Sequence, residues 1–425
     1  MSILISLSVF LVLLIFSVPI VFSLLSAMLL DFFLNFDMPL GVIFHRVSSG
    51  LDSFILLSIP FFIFAGNIMN TSGITRKIFK FANTLVGGIP GGLAHANIVA
   101  SIIFAGMSGS AVADAGGLGA IEMRAMNEEG YDPAFSAAVT AASSTIGPII
   151  PPSVPMVVYA VMSGQSTGRL FAGGFLPGLL MGGFMMILVY CIALKRGYPR
   201  EKSTWKEVFY AFKEAFLPLM TPVIMIGGIL SGVFTPTEGA VVAVVYSLFI
   251  GVVVYREIKV RDLPQMLYRS LQDTAVITLI IGAAAGFAWL ICIQGIPSRL
   301  ASLLGEMNIS ASLFLLIFNV FFLVIGMFME ALSIIVIVVP VLIPVMNALQ
   351  LDPVHMGVVL VLNLMIGLVT PPIGMSLFVT SKVGSVRLET LCHTIIPFII
   401  PLVLVLFLVT YCPVLVTFLP SILNQ

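Results

Sequence analysis

The sequence predicts an all-α polytopic membrane protein built from two inverted-topology repeats, each holding a re-entrant helical hairpin and a discontinuous helix. Three observations carry this. Hydrophobic residues make up 60% of the 425 residues and charged residues only 9%, where a soluble domain carries about 25% charge. Shifted by 220 positions, the chain's least common stretches fall into register without a gap. Gly106-Met107 meets Gly326-Met327, Met126-Asn127 meets Met346-Asn347, and Asp132-Pro133 meets Asp352-Pro353. Gly147 with Pro151-Pro152 meets Gly367 with Pro371-Pro372, Gly164 meets Gly384, and Pro177 meets Pro397. A duplicated apolar unit whose helices break at matching glycines and prolines is the pattern of a secondary transporter. Thirdly, Lys and Arg are sorted between alternate loops, as a multi-pass topology requires.

Apolar runs long enough to cross a bilayer lie at 3–30, 53–70, 134–162, 171–194, 214–233, 236–255, 271–294, 354–381 and 391–420. Two stretches, 84–121 and 308–350, are too long for one span and are interrupted by Gly, Ser, Glu330, Pro340 and Pro344. Both are read as hairpins that return to their own side, because broken backbone at membrane depth survives where protein or a water-filled cavity surrounds it. The segments 75–86 and 297–306 read as interfacial arms. The copies are then 1–194 and 236–425, joined by a basic linker and one inverting span over 195–235. With the N-terminus inside, all 19 Lys and Arg fall in inner loops except Arg46, Arg169 and Arg299. The expected placement is therefore a multi-pass inner-membrane protein with a cytoplasmic N-terminus and a periplasmic C-terminus. Nothing basic precedes Arg46, so the first run reads as a retained helix, not a signal peptide. Cys191, Cys292, Cys392 and Cys412 stand singly in apolar runs, which excludes a disulfide framework or a metal spacing.

Polar residues at membrane depth mark the candidate site. The first cluster is Ser108-Gly109-Ser110 with Asp114, where small residues leave carbonyls and hydroxyls free to coordinate a hard cation. A small-residue helix-packing face is its alternative. The second is Ser143-Ser144-Thr145 with Gly147, Pro148 and Pro151, where three prolines remove backbone donors and unwind the helix. The two half-helix ends then face a cavity, one favouring a cation and the other a carboxylate; a plain proline kink is the alternative. Glu330 and Asn363, Gly367, Thr370 and Pro371 are the counterparts in the second copy. Glu238, after Thr235-Pro236, is either a helix-start acid or a gating or docking residue. His45, His95, His355 and His393 share no spacing and read as satisfied or interfacial histidines. Gly106-Met-Ser108-Gly109 with His95 resembles an intramembrane serine protease, but a protease has no reason to duplicate its broken helix. No nucleotide-binding loop occurs.

Together these motifs resemble the large membrane subunit of tripartite ATP-independent periplasmic (TRAP) transporters. The resemblance runs from Ser58-Ile-Pro60 through Ser108–Asp114, Gly147–Pro152 and Phe234–Glu238 to Thr370–Gly374. It implies sodium-coupled uptake of a small organic acid such as a dicarboxylate, keto or sugar acid, or sialate. These hairpin and loop residues would hold sodium and substrate, in a transport domain moving as an elevator against a scaffold. Sodium ions would be the coupling ions, with no organic cofactor. It further implies a small membrane subunit of about four helices and a periplasmic substrate-binding protein, neither within this chain, and no nucleic acid. Arg46, Arg169 and Arg299 are the outer-face charges available for docking. A stand-alone sodium-coupled dicarboxylate or citrate carrier is the alternative.

Overall fold

The computed structural model describes residues 2–423 except 17, 36–38 and 307–308, and these are helical with no strand. The expected start of the second hairpin at residue 308, and the C-terminus itself, lie outside the described residues. The first half runs α1 (Ser2–Ile15), α2 (Ile20–Asn35), α3 (Gly41–Ser49), α4 (Ser58–Thr71), α5 (Ile74–Val86), α6 (Gly92–Ser108), α7 (Ala111–Gly116), α8 (Leu118–Glu128), α9 (Pro133–Ser144), α10 (Val154–Ser163) and α11 (Thr167–Arg196). The second runs α12 (Trp205–Leu230), α13 (Pro236–Leu248), α14 (Leu263–Ile293), α15 (Ile296–Glu306), α16 (Ala311–Gly326), α17 (Ala331–Ala348), α18 (Pro353–Gly367), α19 (Met375–Gly384), α20 (Leu388–Tyr411) and α21 (Val414–Ile422). Among the described residues, seven helical segments are long and apolar enough to cross a membrane.

The first apolar run departs from the sequence reading. Instead of one span over 3–30, α1 and α2 form a helical hairpin, and the Ser6 hydroxyl donates to Asp31 Oδ1 at 3.2 Å between them. Pro19 explains the break, since it lacks an N–H and its ring collides with the preceding turn. Asp31, itself buried, also accepts from Gln294 at the C-terminal end of α14. A similar break at Cys412-Pro413 splits the run 391–420 into α20 and α21. The unforeseen α3 lies along α14, where Gly50 faces Ala285 and Val47 sits beside Gly282 and Gly286.

The two copies are visible in the packing. α1 packs on α2 as α12 packs on α13; α2 packs on α14 as α13 packs on α4. By this correspondence α12 is the counterpart of α1, so the second copy starts near residue 204. α12 also absorbs the latter half of the basic linker, because Thr204 and Glu207 form a reciprocal cap at its start. α5 is amphipathic, burying Ile74, Ile78, Phe79 and Ala82 at helical spacing while Arg76 and Lys80 face out.

Both hairpins exist, with a difference in closure. In the first, α6 returns through α7 and packs on α8. In the second, α16 packs along α18, while α17 leans on α14, α10 and α15. The side chains account for it: α6 is rich in Gly and Ala and α8 carries Gly119, Ala120 and Ala125, whereas α16 and α17 consist mostly of Phe, Leu, Ile and Val. Small residues let helices approach closely and bulky ones hold them apart. The half-helices after the breaks are exchanged between copies. α10 packs on α17 of the second hairpin, and α19 packs on α7 and α8 of the first.

Candidate functional site

At the first hairpin tip the chain must reverse between α6 and α7. Gly109 does this in the left-handed region at φ 61°, where only glycine is unstrained. A Cβ there would also lie 2.5 Å from the Pro152 carbonyl oxygen. Ser110 then caps α7, accepting from the Ala113 N–H at 3.4 Å. The tip is thereby pressed against the unwound segment between α9 and α10, whose second half starts with Ser153 capping Met156 at 3.2 Å. In the second copy, Glu330 takes the place of Ser110, 220 residues on, and has the same job. Its carboxylate accepts from the Ser333 N–H at 3.1 Å and the Ser333 hydroxyl at 3.3 Å, capping α17. Gly367 lies on Gly326, with a built Cβ only 2.7 Å from the Gly326 carbonyl carbon. The Pro151–Pro152 and Pro371–Pro372 bonds are cis in both copies.

These tips enclose one side of a cavity of about 600 Å³, and α4 and α14 close the other. Of the residues singled out in the sequence, Ser108, Gly109, Ser110, Pro148 and Glu330 line it. Three polar lining residues were missed: Asn67 and Asn70 on α4, and Asp273 on α14. Asn67 donates to the Ser270 hydroxyl at 2.8 Å, tying the two helices together. An asparagine pair at i, i+3 in an apolar span was the available signal for the first two. The starts of α7, α10, α17 and α19 all reach the cavity wall, so peptide dipoles turn their positive ends toward it. Among the described residues its lining holds two carboxylates and no Lys, Arg or His.

The remaining candidates sit behind the cavity. Ser143 donates to Asn97 Oδ1 at 2.7 Å and accepts from Ser101 at 3.2 Å, while Asn97 donates to Thr140 at 2.7 Å. Asn363 donates to Asn319 Oδ1 at 3.1 Å, and Asn319 to Thr410 at 3.0 Å, which is the same buried polar knot in the second copy. Ser144, Thr145 and Thr370 return their hydroxyls to Ala141, Ala142 and Ile366 at 2.8, 2.6 and 2.7 Å. Such back-bonds occupy the donor and leave lone pairs. Gly147 is buried behind the first tip; Pro151 is buried in the same segment, whereas Pro371 is half-buried. Asp114 is 1% exposed, and neither of its oxygens has a hydrogen-bond partner; the same holds for the Ser108 hydroxyl at 2%.

Glu238 completes a capping box with Thr235, accepting from its N–H and its hydroxyl, both at 2.8 Å. The helix-start reading accounts for it. Arg46 stacks over the Trp289 ring at 4.9 Å, Arg169 is half-buried, and Arg299 is exposed. His355 is satisfied, its Nε2 lying 2.9 Å from the Val409 carbonyl oxygen. His95 is not: it is buried with neither ring nitrogen partnered. It also stands 13 residues from Ser108 along α6, or ~20 Å at 1.5 Å per residue, too far to act as its base.

Inverted hairpins and broken helices facing one cavity in an apolar helical body define a membrane permease rather than an enzyme. The chain belongs to the family of the DctM component of tripartite ATP-independent periplasmic transporters, whose family model matches residues 7–415. It is 43% identical to the sialic acid TRAP transporter large permease protein of Vibrio cholerae over 95% of each chain. It is 41% identical to the sialic acid TRAP transporter permease protein of Haemophilus influenzae, over 99% of this chain and 69% of that one. With the C4-dicarboxylate TRAP transporter large permease protein of Rhodobacter capsulatus it shares 36% identity over the whole of both. Among solved structures it resembles the YdaH transporter of Alcanivorax borkumensis, with a TM-score of 0.65 at 14% identity over 87% and 88% of the two chains.

Proposed function

We propose that this chain is the sodium-coupled permease of a binding-protein-dependent system for a small organic acid, of the sialate or C4-dicarboxylate class. The observation that carries the coupling is the charge of the cavity. An anionic substrate would enter a space walled by Asp273 and Glu330 with no basic side chain. Helix N-termini contribute only about half a charge each, so an acid is held there favourably when cations enter with it. The unpartnered Ser108 hydroxyl and the carbonyls around Gly109 are the oxygen donors nearest the cavity for one such ion. The two knots at Ser143 and Asn363 fix the unwound segments that would supply the others.

Movement follows the packing. α1, α2, α4, α12, α13 and the long α14 form the scaffold, α5 and α15 are arms, and the hairpins with α9–α11 and α18–α20 travel as an elevator. Two further components are proposed from the family: a small membrane subunit and a periplasmic binding protein. The membrane is the bacterial inner membrane, with 195–204 and 256–262 cytoplasmic and Arg46, Arg169 and Arg299 outside. The three components, reconstituted in liposomes under an inward sodium gradient, should accumulate labelled sialate or C4-dicarboxylate with saturation. Equal accumulation without sodium would refute the coupling. Uptake of free substrate by this chain alone would favour the stand-alone carrier.

A further inference from the structure

The polar side chains of the cavity fall on two opposed walls. Ser108, Ser110 and Glu330 stand at the hairpin tips, whereas Asn67, Asn70 and Asp273 stand on α4 and α14. The helix starts that reach the cavity are all on the side of the tips. Their positive dipole ends therefore favour the charged end of an acid there. The opposite wall meets whatever lies at the acid's other end, and hydrogen bonds already made restrict what it can offer.

Ser270 on α14 donates its one hydroxyl proton to the Met266 carbonyl oxygen at 3.0 Å, so toward α4 it can only accept. Asn67 must therefore present Nδ2 to Ser270, at 2.8 Å, which leaves its Oδ1 to accept. One turn on, the Asn70 amide fills the notch beside Gly117, where a Cβ would lie 2.4 Å from Asn70 Oδ1. That oxygen is buried and has no hydrogen-bond partner, a cost that a donor on a ligand would relieve. Asp273, one turn after Ser270, is exposed, and its carboxylate only accepts. Among the described residues it makes no ion pair, and Arg269, one turn before it, does not line the cavity. The remaining amide hydrogens are neutral donors and do not offset the Asp273 charge.

Such a wall sorts acids by their far end. Hydroxyl and amide groups can donate to Asn67, Asn70 and Asp273 alike. A second carboxylate has no proton to donate and meets Asp273 as a like charge. Size points the same way. A cavity of about 600 Å³ lies in the range that encloses drug-sized molecules, and a four-carbon acid would leave most of it to water.

We propose that Asn67, Asn70 and Asp273 form a subsite for the hydroxyl-bearing end of the substrate. A polyhydroxylated monocarboxylate, not a C4-dicarboxylate, is then the preferred cargo. This rests on the permease reading above and narrows its substrate class.

Equilibrium binding to the purified full chain in lipid nanodiscs, at saturating sodium, tests the subsite with labelled sialate and labelled succinate as probes. Sialate should bind at least tenfold more tightly than succinate. D273N keeps the shape of the side chain and removes its charge, so it should tighten succinate several-fold and weaken sialate. N70A should weaken sialate several-fold and leave succinate unchanged. A disturbance of the fold would instead weaken both acids together. Succinate bound as tightly as sialate by the wild type would overturn the subsite while leaving the permease reading in place. Parallel losses of both acids in N70A and D273N would do the same. Binding of neither acid at any sodium concentration would remove the permease reading, and the subsite with it.

Discussion

At the scale of single residues, the tip-to-loop contacts decide whether the two copies can close on one cavity. Gly367 has backbone, not a yielding side chain, 2.7 Å from where a Cβ would stand, so Gly367→Ala must push α16 away from α18. It should lower stability by about 1–3 kcal/mol, read as a fall in melting temperature in detergent. Gly183→Ala is the control: nothing lies within 4 Å of its built Cβ, and in a helix the exchange should be neutral or stabilising by up to ~1 kcal/mol. Equal losses at both positions would show that the Gly326–Gly367 approach is not what matters. The hydroxyls separate in the same way. Ser108→Ala removes an unpartnered oxygen at the cavity and should raise the sodium concentration for half-maximal uptake several-fold. Ser144→Ala removes a hydroxyl already returned to Ala141 and should leave that concentration nearly unchanged. Reversed effects would move the ion behind the tip.

At the scale of elements, the breaks that positioned the site were legible because Gly and Pro state their backbone consequences locally. Pro151-Pro152 and Pro371-Pro372 announced the unwound helices, and the Gly109 reversal followed from Ser-Gly-Ser between apolar arms. What depended on partners far along the chain was not legible. Asp273 and Asn70 look like isolated polar residues until α4 and α14 face the tips, and Glu122 reads as an ordinary surface acid until α6 and α9 cover it. Pro19 and Asp31 were local signals of the α1–α2 hairpin, outweighed by an otherwise unbroken apolar run. That hairpin has a consequence for orientation. Counting α1, α2, α4, the α9–α10 pair and α11 as passes, a copy crosses an odd number of times, so the next copy starts inverted without an extra span. The N-terminus then shares the side of Arg46. A cysteine appended before Met1 and one at Arg299 should both react with an impermeant maleimide from outside, while one at Lys202 should not. An appended cysteine that reacts only from the cytoplasm would restore the single-span reading.

On the scale of the whole molecule, the exchange of half-helices matters most. Because α10 rests on the second hairpin and α19 on the first, neither copy has a complete site of its own, and displacement of one drags the other. The cavity lies where this interlocked body meets α4 and α14, so the proposed elevator motion would be a sliding of the tips past those helices. The measurement that tests this most directly is a reversible cross-link between the two bodies. Cysteines at Ile277 on α14 and Ala331 at the second tip, in a chain lacking Cys191, Cys292, Cys392 and Cys412, both line the cavity. Bridged by a cleavable bismaleimide in the reconstituted system, they should abolish sodium-driven uptake, and cleavage should restore it. Undiminished uptake by fully cross-linked protein would contradict the moving-domain account.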